Sequence, residues 1–236
     1  MALAPHPTDA PTRLTSARAG AQGGHAGTRE GVVLAPPFAF VGDRFWLDFV
    51  NTDVAVRGAR VDALADFATF ARWLEASGTL DAERAGGLLR RAELQRAGAT
   101  AALADARRVR AVLRRLAEQG AGAASAGARA DALVEITRVL GRSAGTRRVE
   151  RRADGAYVRV FVAVGDAFAG LMIPVVDSAA DALILDELPR VRRCANVRCA
   201  RVFFDNTKNG RRRWCDMATC GNRAKAERFR RRRPVS

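Results

Sequence analysis

All four cysteines of this chain fall in its last 43 residues, as Cys194, Cys199, Cys215 and Cys220. Their spacing is C-x4-C-x15-C-x4-C. Each short loop offers two sulfurs from one side, and the linker between the pairs is long enough to bring the second pair to the other side. That is the arrangement a tetrahedral ion needs. Thiolates suit Zn2+ at ~2.3 Å, and a set of four leaves no open position, so the expected site is closed and structural. The x4 gap is longer than the common x2. Disulfides would need an oxidising compartment, and no export signal precedes the body. Free buried thiols rarely cluster as two pairs, and an iron–sulfur cluster also takes four cysteines. Zinc is the expected cofactor.

The elements that must position these sulfurs can be read around them. Between the pairs, the sequence supplies Val202-Phe203-Phe204, a turn over Asn206–Gly210, and Trp214. This predicts a β-hairpin whose aromatics make a small core beside the metal. After Cys220 the chain reads GNRAKAERFRRRR, helical in preference and free of proline before Pro234. A knuckle, a hairpin and a helix carrying the last ligand at its first turn form a treble-clef-like layout. So small a unit has little core of its own, and the metal is expected to supply ~10 kcal/mol or more of its folding free energy. Chelation is therefore expected to unfold 190–236 and leave 32–188 intact.

Charge marks the same segment. The chain of 236 residues carries a formal net charge of +15. From Arg190 to Ser236 there are 16 Lys+Arg against 3 Asp+Glu, a net of +13, which leaves 1–189 almost neutral at +2. A basic end on a neutral body points to a polyanion, nucleic acid before an anionic membrane surface. The candidate contacts are Arg211, Arg212 and Arg213 in the predicted hairpin, and Arg223, Lys225, Arg228, Arg230, Arg231 and Arg232 on the predicted helix. They could straddle phosphates, and arginine can read guanine in the major groove. Phe229 is expected to pack down. Gly221 and Asn222 are read as turn and helix cap beside the metal.

The body must hold this end in place. Residues 1–31 read as a disordered tail, 32–188 as a mostly helical α+β domain with a small β-hairpin, and 189–236 as the finger with its basic helix. FAFVGDRFWLDFVNT (38–52) fits strand or helix equally. Helical spacing begins near Asp62 and stops at Ser77-Gly78; Thr79 or Asp81 caps the next helix, which runs to about Gln95. A third helix covers 100–118, with its arginines largely opposite its apolar stripe. Those arginines are read as a solvated face paired with acids rather than as a nucleic-acid contact. Residues 120–128 form a joint, and a further helix covers about 129–140. Two strands flank Asp154-Gly155, and a last helix covers 178–188, with Pro174 interrupting the run before it. Asp48 and Asn51 are polar within an apolar run: they either line a ligand pocket or, as such residues more often do, satisfy buried backbone groups.

Other classes are disfavoured. His6 and His25 are the only histidines and both lie in the tail, which removes the commonest general base from the body. Without a nucleophile–base pair or a phosphate loop, no enzyme is expected. The sequence holds no apolar run long enough to span a membrane, and a cytoplasmic location is expected.

The stretch Cys194–Arg233, above all WC-x-M-x-x-CGNR-x-K and the arginines after it, resembles the CGNR zinc finger of bacterial proteins. LDFVNT at 47–52 and the helices after it resemble the ABATE domain that usually precedes that finger. The resemblance implies a stress-induced transcription regulator, with Cys194, Cys199, Cys215 and Cys220 as ligands and Gly221, Asn222 and Arg223 as signature residues. It implies a DNA-binding finger; double-stranded DNA is the expected partner, and sensing or homodimerisation the expected task of the body. From the residues alone, an RNA- or ribosome-associated binder stays open. So does a small-molecule sensor or enzyme in which the finger is purely structural.

Overall fold

The structure, a computed structural model, describes residues 38–56, 59–119, 125–152, 155 and 157–232. The tail at 1–31, most of the joint at 120–128 and Asp154 of the expected hairpin turn lie outside the described residues, as do the side chains of Arg231 and Arg232.

The ambiguous LDFVNT segment resolves as helix. α1 (Phe45–Val50) buries Trp46, Leu47, Phe49 and Val50 completely. Six residues make no stable helix alone; α1 is held by burial on several sides, against the segments Arg96–Gln119, Ile173–Ile184 and Val202–Phe204. A β-ribbon follows, β1 (Asp53–Val56) with β2 (Ala59–Asp62). α2 (Phe67–Ala76) starts at Asp66, whose side chain accepts from Thr69 N at 2.7 Å. α3 (Ala82–Leu94) starts at Asp81, which caps Arg84 N at 2.7 Å. α4 (Arg96–Gln119) and α5 (Ser125–Arg142) pack side by side. β3 (Gly145–Arg151) pairs antiparallel with β4 (Tyr157–Ala163), as the sequence predicts. α6 (Ile173–Ile184) begins with Pro174 in its first turn. There the missing N–H costs nothing, so Pro174 starts a helix that the sequence reading had it interrupt.

The α4 arginines are mostly paired within the molecule. Arg107 meets Asp62 at 2.9 Å, Arg108 meets Glu135 at 3.2 Å and Arg115 meets Asp131 at 3.3 Å. Two others are not on a solvated face at all. Arg110 is buried and reaches Thr52 Oγ1 at 2.9 Å and Asp62 at 2.7 Å. Arg114 is buried and donates to the carbonyls of Ala200 (2.7 Å), Val50 (2.7 Å) and Asp53 (2.9 Å). It therefore ties α1 to the chain's C-terminal segment.

That segment opens with a hairpin whose register differs from the expectation. β6 (Val202–Phe204) pairs backwards with β5 (Val191–Arg193), with Val191 opposite Phe204 and Arg193 opposite Val202. The first cysteine pair is thus the hairpin's own loop, and 205–214 is irregular. Strand alternation then divides β6 between two cores. Val202 and Phe204 join the body's main core, with Val191 beside them. Phe203, pointing the other way, packs with Cys194, Cys215 and Cys220. One three-residue strand is a wall of both, so the expectation of a body independent of the finger is revised.

Candidate metal centre and basic helix

The loop between β5 and β6 carries Cys194 and Cys199. Cys194 N donates to Arg201 O at 2.9 Å and Cys199 N to Asn196 O at 2.8 Å, which curls the loop so that both thiols face inward. Ala195 N bonds Arg213 O at 2.8 Å and brings the second pair alongside. Cys215 follows Trp214, and Cys220 lies in a π-helical turn, Met217–Gly221. Asp216 caps that turn, accepting from Thr219 N at 2.7 Å. The cap is therefore Asp216, whereas the amide of Asn222 donates back to Ala218 O at 3.1 Å. Gly221 does mark a tight place: a Cβ there would lie 2.5 Å from Met217 Sδ and 3.4 Å from the Trp214 ring.

The four Sγ atoms lie within 4.8 Å of one another. A tetrahedron with arms of ~2.3 Å has edges of ~3.8 Å. Cys199 to Cys215 and Cys215 to Cys220 are each 3.8 Å. A disulfide needs sulfurs ~2.05 Å apart, and all four thiols are free. A set this tight surrounds one ion and leaves no room for a multi-iron cluster. The donors suit Zn2+ and would hold it in a closed site.

Cation charge is what the site calls for. Hydrogen bonds from Cys199 and Cys215 hold the Cys194 thiol well below its usual range, against the effect of burial. Contacts with Cys194 and Cys199, with burial, push the Cys215 thiol well above it. Four sulfurs this close oppose one another's ionisation, and a bound dication would make thiolate favourable for each ligand. Asn196 was not anticipated from the sequence: its amide lies 3.6 Å from Cys220 Sγ and so links the two pairs. Asp205, also unanticipated, is fully buried and accepts from Thr207 N (3.0 Å) and Arg212 N (2.9 Å), ordering the irregular linker.

The basic candidates separate into two groups. Arg212 is turned inward: it donates to the carbonyls of Trp214 (3.0 Å) and Cys215, pairs with Asp43, and its guanidinium lies 4.4 Å over the Phe203 ring. Arg211 and Arg213 are exposed, Arg213 lying 5.3 Å over the Trp214 ring. α7 (Asn222–Arg232) is exposed from Asn222 to Arg230 except for half-buried Ala224. None of the ion pairs between described residues involves Arg223, Lys225, Arg228 or Arg230. Phe229 does not pack down but is 64% exposed. The reason is angular: α7 touches the finger through Ala224, and five residues at 100° each place Phe229 about 140° away. Arg192, Arg193 and Arg198, beside the first cysteine pair, are exposed as well; the sequence reading had not singled them out, although the charge count contained them.

Asp48 and Asn51 both serve backbone. Asn51 is buried and clamps Val202, donating to its carbonyl at 2.8 Å and accepting from its N–H at 2.9 Å. Asp48 accepts from Gly42 N at 2.8 Å, and Gly42 O in turn accepts from Phe204 N at 2.8 Å. Burial raises the Asp48 carboxyl to about 7, the Gly42 bond opposing the shift and Asp43 adding to it. The folded state thus holds a proton that the unfolded chain releases near pH ~4. Asp48 favours folding fully below that pH, and the benefit is lost as pH rises through about 7. Asp48→Asn is expected to flatten this part of the stability–pH curve and to stabilise the protein by about 2 kcal/mol at pH 8. Urea unfolding of both proteins across this range checks it.

Residues 43–185 match the sequence profile of the ABATE family, described as "Putative stress-induced transcription regulator". The chain belongs to the ABATE family. Residues 190–233 match the CGNR zinc finger, so this ABATE protein carries the finger after its family domain, and the cysteine cluster lies within it. No curated protein matches the chain. Among the described residues, no helix is long and apolar enough to cross a membrane.

Proposed function

We propose that this ABATE protein is a cytoplasmic transcription regulator that binds double-stranded DNA through its zinc finger, while the body senses a signal or dimerises. The observation that carries the reading is the contrast between two sets of arginines. Those of the body are mostly spent on acids and carbonyls. Arg223, Arg228 and Arg230 of α7, with Arg211 and Arg213, are exposed and take no part in the ion pairs between described residues. Unneutralised cations on a helix of eleven residues suit a phosphate-lined groove. Arg212 is withdrawn from the contact set and acts inside the finger.

Phosphate contacts release counterions, so affinity must fall steeply with salt. With about six contacts, binding to a duplex is expected to weaken ~10³-fold between about 50 and 200 mM salt. Arg228→Gln and Arg230→Gln are each expected to reduce the salt slope by about 1. A salt titration by fluorescence anisotropy checks both. Binding insensitive to salt, or structured RNA displacing duplex DNA at lower concentration, would overturn the proposal.

A further inference from the structure

Phe229 is an unexpected residue to find outside. On α7 the buried direction is set by Ala224, and Phe229 points nearly away from it. At 100° per residue, Ala226 and Phe229 share the outward face, about 60° apart. Lys225 and Arg228 flank that face on one side, and Arg223 and Arg230 on the other. Lys225, Ala226, Arg228 and Phe229 line one surface depression. The outward face therefore opens with the polar Asn222 and then carries one apolar pair, Ala226 and Phe229, with cations on both sides.

That pattern matches the floor of one groove. In the major groove of B-DNA the two phosphate walls are anionic, and the only apolar group on the floor is the 5-methyl of thymine, which alanine and phenylalanine contact. We infer that Phe229, with Ala226 beside it, reads thymine methyl groups while the flanking cations hold the phosphates. This inference rests on the duplex-DNA reading above and deepens it. RNA lacks that methyl, and its A-form major groove is too narrow and deep for side chains to read. Phe229 is thus the residue that makes the finger prefer DNA to RNA.

The test uses the full-length protein. Duplexes that it recovers from a random-sequence pool are copied once with dTTP and once with dUTP, two probes that differ only in the 5-methyl group. The wild-type protein is expected to bind the thymine copies several-fold more tightly. Phe229→Ala, with its zinc content confirmed as unchanged, is expected to bind both copies equally and about as tightly as the wild type binds the uracil copies. Phe229→Leu, which keeps an apolar tip, is expected to retain part of the preference. A wild-type protein indifferent to the methyl group overturns the inference, as does a preference that survives Phe229→Ala. Equal weakening of both copies by Phe229→Ala also overturns it, because Phe229 would then stack or wedge without reading. If no duplex is recovered at all, the DNA reading itself fails.

Discussion

Stripping the metal from the full-length protein is expected to lower duplex affinity by ~100-fold or more and to destabilise the body as well as the finger. The loss of binding follows from where α7 begins: Cys220 sits in the turn that leads directly into Asn222, so the helix keeps its direction only while that sulfur is fixed. Structural zinc contributes ~10 kcal/mol or more to isolated fingers, and this finger's own core is little more than Phe203 and the cysteines, with Val41 and Trp214 against them. The effect on the body follows from β6. Phe203 leans on the metal side while Val202 and Phe204 lean on the body. Once the cysteines separate, Phe203 loses the buried core of its cluster, and the strand that closes the main core loosens with it. Near-ultraviolet circular dichroism of the tryptophans checks this, because Trp46 and Trp73 lie in the body core and Trp214 beside the cysteines. Thermal unfolding should show the body's transition moving down by several degrees after chelation. A body transition unchanged by chelation would mean that the two cores are independent.

The second large effect is expected where no metal or DNA is touched. Arg114→Met keeps most of the side chain's bulk but removes the donors to Ala200, Val50 and Asp53. Asn51→Leu leaves the N–H and carbonyl of Val202 without their partner. A buried polar group left unpaired costs about 1–3 kcal/mol, so each variant is expected to lose about 2–5 kcal/mol. Both links end on the finger's hairpin, so zinc affinity should fall along with body stability. Urea unfolding and competition with a zinc indicator measure the two quantities on the same samples. A variant that loses stability and keeps wild-type zinc affinity would restrict these residues to the body.

What the sequence revealed and what it hid follow one physical rule. Signals that are local in the chain were legible. The spacing of the cysteines, the Asp81 cap, the Ser77-Gly78 stop and the apolar stripe of α4 each depend on residues within a turn or two. The pairing of β6 was not, because Val202–Phe204 could fold onto residues on either side. Its partner, the three residues Val191–Arg193, looked like part of a charge run. The buried arginines were hidden for a related reason. Arg114 belongs inside only because the carbonyls of Val50, Asp53 and Ala200 converge on it, and Arg110 because Thr52 and Asp62 meet it; no periodicity encodes partners so distant in the chain. Within the candidate site, the sulfurs were legible from spacing. The split of the arginines into inward Arg212 and outward Arg211 and Arg213 depended on Asp43 and on the carbonyls after it. Phe229 was misplaced because a large apolar residue on a helix usually marks the packed face. Here a half-buried alanine does that, leaving the aromatic outside.

The central claim is that one metal ion, held by Cys194, Cys199, Cys215 and Cys220, organises the basic helix for duplex binding. Its most direct test is to titrate zinc into the metal-free full-length protein while measuring bound zinc and duplex affinity together. The account predicts that DNA-binding activity rises in proportion to occupancy and saturates at one zinc per chain. Metal-free protein that binds the duplex as tightly as the loaded protein would contradict it.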